Sequence, residues 1–60
     1  MYTIYWVFGN TELPIKDISF NPQPVITPAG EEKLTLEEAE ELLKDLSEKN
    51  PSQQFVMREG

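Results

Sequence analysis

The side chains most often recruited for catalysis are missing from this sequence, which contains no His and no Cys. That removes the commonest general bases and nucleophiles, and with them most transition-metal ligands. Ser19, Ser47 and Ser52 have no activating partner, and Lys16, Lys33, Lys44 and Lys49 are interleaved with acids as surface charges are. No phosphate-binding loop, dinucleotide fingerprint or calcium loop is present. The expectation is a non-enzymatic protein with no cofactor and no metal.

Carboxylates and aromatic rings are the functional groups that remain. The net charge is −6, and residues 31–49 hold eight acids and three lysines. Glu37, Glu40, Glu41, Asp45 and Glu48, with Glu31 and Glu32 before them, form a candidate acidic surface. Three meanings are open: a solvated helix face, a docking surface for a basic protein, or a phosphate mimic that occupies a basic site on a nucleic-acid-binding protein. The lysines at 33, 44 and 49 dilute the charge that mimicry needs. The same acidity argues against direct binding of nucleic acid or of an anionic membrane, which reward Lys and Arg clusters.

These carboxylates need a scaffold, and the clearest element is a helix at 35–50. Thr35 and Glu38 have the spacing of a capping box, with Leu34 before the cap. Leu36, Ala39, Leu42, Leu43 and Leu46 recur at helical spacing and define one apolar stripe. Acids crowd the first turns, where the helix dipole favours them. Glu40–Lys44 and Asp45–Lys49 are i,i+4 pairs, and Asn50-Pro51 is a stop.

Around that helix the spacing predicts three strands. Residues 2–8 are aromatic and β-branched, with Tyr2, Ile4, Trp6 and Phe8 on one face and Thr3, Tyr5 and Val7 on the other. Gly9-Asn10 is a turn signal. Residues 13–20 read as a weaker strand, with Pro14 marking its start or a sheet edge. Residues 21–34, with Pro22, Pro24, Pro28 and Gly30, read as a proline-rich connection anchored by Val25 and Ile26. A short strand at 24–27 is the alternative there, because long structureless loops are uncommon in compact domains. The prolines do not supply a P-x-x-P pair. Residues 53–58 close the chain as a strand, with Phe55 and Met57 on one side and Val56 on the other.

The expected fold is therefore a single α+β domain over residues 1–60, ordered β-β-α-β. Its small three-stranded antiparallel sheet has strand order 2-1-3, with the amphipathic helix packed on one face. A domain of this size buries only about 60% of its unfolded surface, and without Cys no disulfide can staple it. One helix covers one sheet face. Tyr5, Val7 and Val56 then need another cover: the 21–34 segment folded back with Val25 and Ile26, a second copy of the chain, or a different protein. These five residues form the candidate partner-binding set.

No apolar run approaches the roughly 18 residues of a membrane span. The N-terminus has no basic stretch followed by an apolar segment and a cleavage site. A cytoplasmic location is expected.

The opening Tyr-x-Ile-Tyr-Trp, the central Thr-Leu-Glu-Glu-Ala-Glu-x-Leu, and the Asn-Pro before a short closing strand resemble many short phage and bacterial proteins of unknown function. The resemblance covers the two ends of the chain and not residues 9–34. It implies an accessory protein that binds a host or defence component, and it transfers no functional residue. The functional expectation is a small protein-binding module, with a homodimer as one form of it. The alternative is an acidic inhibitor that mimics nucleic acid.

Overall fold

The computed structural model describes residues 1–30 and 33–60. Its elements are β1 (Tyr2–Phe8), β2 (Thr11–Phe20), β3 (Pro24–Pro28), α1 (Leu36–Lys49) and β4 (Gln54–Glu59). The strands form one antiparallel sheet in the order β3-β2-β1-β4. This corrects the three-stranded 2-1-3 sheet expected from sequence. The proline-rich connection contains a strand of its own, which pairs with β2 through Ile18↔Ile26 and Ser19↔Val25. Its two prolines stand at its ends and the strand lies at an edge, where a missing N–H costs no ladder bond.

Gly9, at φ 57°, turns β1 into β2 with Phe8 opposite Thr11. A positive φ at the first turn position is what glycine supplies without strain. Pro14 sits inside β2, opposite Tyr5, and not at a strand start or an edge. Its place is explained by direction. The carbonyl of Pro14 accepts from Ala29 N–H, on the side away from β1. The missing donor thus falls where β3 has already ended.

β2 is bent. A register shift lies between Ile15 and Asp17, so one extra residue enters the strand, and Ile15 and Ile18 both point inward although three apart. Leu13 is opposite Trp6, and a straight strand would carry Phe20 roughly 23 Å beyond it. Instead the Trp6 and Phe20 rings meet edge-on at 5.9 Å. The second half of β2 and β3 therefore curl over the sheet. Leu34 fills the place vacated beside Tyr2, bonding it through both backbone groups.

The helix forms as its caps dictate. Thr35 Oγ1 accepts from Glu38 N–H at 3.2 Å, and Glu38 Oε1 accepts from Thr35 N–H at 3.0 Å. At the other end, Asn50 N–H donates to the Leu46 carbonyl. Ala39 and Leu46 are buried, with Leu42 and Leu43 half-buried beside them. Leu36 remains 46% exposed. The helix lies over β4 and β1. It shares with the curled hairpin a single core: Ile4, Trp6, Ile15, Ile18, Ala39, Leu46 and Phe55. Trp6 Nε1 donates to Gln53 Oε1 at 3.1 Å, which satisfies its one polar group. Phe8, expected under the helix, stacks on Trp6 at 4.3 Å but stays 41% exposed.

Candidate protein-docking surface

Both covers lie on the same side of the sheet. The other side presents Thr3, Tyr5 and Val7 from β1, Glu12 and Pro14 from β2, and Gln54, Val56 and Arg58 from β4. Tyr5 is the centre, flanked by Pro14 on one strand and Val56 on the other. Tyr5, Val7 and Val56 are half-buried by their own neighbours, and among the described residues no second layer lies over them.

Arg58 crosses this face. Its Nε and Nη2 donate to the two oxygens of Glu12, each at 2.8 Å. Arg58 is opposite Thr3 and Glu12 is opposite Val7, so the pair runs diagonally past Tyr5. The hydrogen bond from Arg58 holds the Glu12 carboxyl below its usual range, and the same bond raises the guanidinium. Both side chains are exposed, so the pair adds little to stability. Its effect is to lay two cancelling charges across the middle of the face, beside Tyr5.

The five candidate docking residues divide. Tyr5, Val7 and Val56 share the open face. Val25, 61% exposed, points outward from the curled hairpin beyond the bend. Ile26 turns to the core side and packs on it. Adjacent strand residues point to opposite faces, so Val25 and Ile26 cannot serve one surface. β3 extends the sheet, and no described residue of the 21–34 segment folds back over Tyr5 and Val7.

Glu12 and Arg58 were not among the residues singled out from sequence. Arg58 shares strand parity with Val56, which was a usable signal. Glu12 fell outside because β2 begins two residues earlier than the predicted 13–20 strand.

The acidic candidates Glu37, Glu40, Glu41, Asp45 and Glu48 are all exposed on α1. Glu31 and Glu32 lie outside the described residues. Asp45 pairs with Lys49 at 3.2 Å, whereas no ion pair joins Glu40 to Lys44. The furrows between these side chains are lined by one helix alone and enclose nothing. A cavity of about 40 Å³ lies between Ile4, Ile15, Leu34 and Leu42. It is far smaller than a ligand pocket. Among the described residues no helix is long and apolar enough to cross a membrane. No family model, curated protein or solved structure matches the chain.

Proposed function

We propose that this chain is a non-enzymatic protein-binding module that docks a partner on the open sheet face around Tyr5, Val7 and Val56. The observation that carries the reading is that the helix and the curled hairpin occupy the same side of the sheet. An aromatic ring with branched aliphatic neighbours, crossed by a self-cancelled ion pair, suits a partner surface that is largely apolar and carries no net charge of its own there. Recognition of this kind depends little on ionic strength.

Capture of the partner from the native host on immobilised chain tests it. Tyr5→Ser and Val7→Asp are expected to abolish capture while leaving the circular dichroism spectrum unchanged. High salt, and charge reversal at Glu37, Glu41 and Asp45, are expected to leave it intact. The opposite pattern would replace this reading with an acidic helix that occupies a basic site.

A further inference from the structure

We propose that β4 pairs antiparallel with the β4 of a second copy of this chain, with Val56 on the two-fold axis. This does not depend on the docking role of the open face.

The two sheet edges are built differently. β3 is closed at both ends by Pro24 and Pro28. β4 runs Gln54–Glu59 with no proline and no lysine, and its one cation, Arg58, is drawn across the face to Glu12. Natural edges are guarded by prolines and outward charges. β4 has no proline, and its one outward acid, Glu59, stands at the strand's last position beside the Tyr2 phenol, so the stretch Phe55–Met57 carries neither guard.

Its free backbone groups are also in place. Gly60 N–H donates to the Met1 carbonyl. Bonding direction alternates along a strand, so Gln54, Val56 and Arg58 also turn their amides and carbonyls toward β1. Phe55, Met57 and Glu59 therefore turn theirs outward, and no partner for them exists among the described residues. With Val56 on the axis, Phe55 of each copy exchanges hydrogen bonds with the partner's Met57. Phe55 then lies beside the partner's Met57 on the core side, and Gln54 beside the partner's Arg58 on the open side. No like charges oppose each other.

The helix fits the same symmetry. It lies over β4 and β1, so the two-fold sets the two helices about two strand spacings apart, roughly 9.6 Å. Helices pack at about 8–10 Å. Leu42 lines the cavity with Ile15, on the β2 side of the helix. The opposite flank, carrying Leu36 and Leu43, therefore leans toward β4 and the axis. These are the stripe's most exposed leucine and a half-buried one. Glu37, Glu41 and Glu48 lie on the back of the helix, away from the axis. Glu40 is on the inner flank, close enough to Tyr2 to raise its phenol, after the larger effect of Glu59. Antiparallel helices carry the two copies of Glu40 to opposite ends.

Because the chain lacks cysteine, Val56→Cys gives a clean test. On the axis, at a position not hydrogen-bonded to its mate, the two Cα atoms stand about 4.5 Å apart, within the range a disulfide spans. Mild oxidation is expected to give a covalent dimer, much faster than for the exposed control Lys49→Cys. Sedimentation of the unmodified chain is expected to show a dimer that tightens as salt screens the repulsion of two acidic subunits. Synthetic N-methylation of Met57 removes one outward N–H without touching the β1 ladder, and is expected to give a folded monomer. A monomeric unmodified chain, equal crosslinking at residues 49 and 56, or a dimer that survives N-methylation would each overturn the proposal.

Discussion

Ile4 and Val7 stand three residues apart on the same strand, and their roles in the sheet are opposite. Ile4 is fully buried beneath the helix, whereas Val7 is on the face that no described residue covers. A chain of 60 residues has a total stability of about 3–9 kcal/mol, at 0.05–0.15 per residue. Ile4→Ala removes about 2–5 kcal/mol, enough to unfold a large share of the molecules. Ile4→Val is the more useful change, at about 0.5–1.5 kcal/mol. Val7→Thr keeps the β-branch and the strand propensity, and on an open face it costs at most about 0.5 kcal/mol. The sole tryptophan, Trp6, is 7% exposed and reports unfolding by its emission. With an m-value near 1 kcal/mol/M for so small a chain, Ile4→Val shifts the urea midpoint by about 0.5–1.5 M and Val7→Thr by less than about 0.5 M. All variants must be compared at one protein concentration, since association adds to apparent stability. If Val7→Thr costs as much as Ile4→Val, the face is covered and the one-sided sheet is wrong.

Thr35→Ala removes the acceptor for Glu38 N–H and half of the capping box. It is expected to cost about 0.5–2 kcal/mol in thermal melts followed by circular dichroism, with Thr35→Ser close to wild type. Acid should act through two carboxyls. Glu38 is held below its usual 4.5 by Thr35 N–H, and Glu12 by Arg58. A depressed folded pKa contributes stability above 4.5 that is lost as pH falls through the folded value. The double variant Glu12→Gln, Glu38→Gln is therefore expected to show a shallower acid limb than wild type in urea titrations below pH 4.5. A parallel limb would mean that neither bond is made in solution.

The parts of the fold that were legible are those where local signals agree with tertiary demand. Alternation in residues 2–8 placed Ile4 and Trp6 inward and Tyr5 and Val7 outward, as they are found. Thr35 and Glu38 announced a cap that both bonds complete. β3 was harder to read because only Val25–Thr27 separate its two prolines, too short a stretch to show a period of two. The bulge hid the true course of β2. Ile15 and Ile18 are spaced as on a helix, and only the paired strand shows that one extra residue puts both inward. Without the bend, nothing in the sequence could bring Phe20 to Trp6, or reveal that the hairpin covers the core beside the helix and leaves the other face bare. The diagonal pair of Glu12 and Arg58 was equally out of reach, since the residues are 46 positions apart and meet across three strands.

That arrangement follows from the size of the chain. One helix of 14 residues covers β4 and β1 and reaches the edge of β2 at Ile15, but it leaves Ile18 and Ile26 beyond its reach. A larger protein would add a second helix. This one bends its own sheet, so that β2 and β3 supply both the apolar side chains and the cover for them. The solution concentrates every buried residue on one side. It follows that the opposite side can lose or gain polar groups with little effect on folding, while the same substitutions would alter any partner contact made there. The unguarded β4 edge adjoins that face and shares Val56 with it. Pairing two copies there would join two open faces into one surface twice as wide, with Tyr5 of each copy one strand away from the axis. Separate effects of Val7→Asp on capture and of Met57 N-methylation on assembly would show whether the surface and the edge act independently.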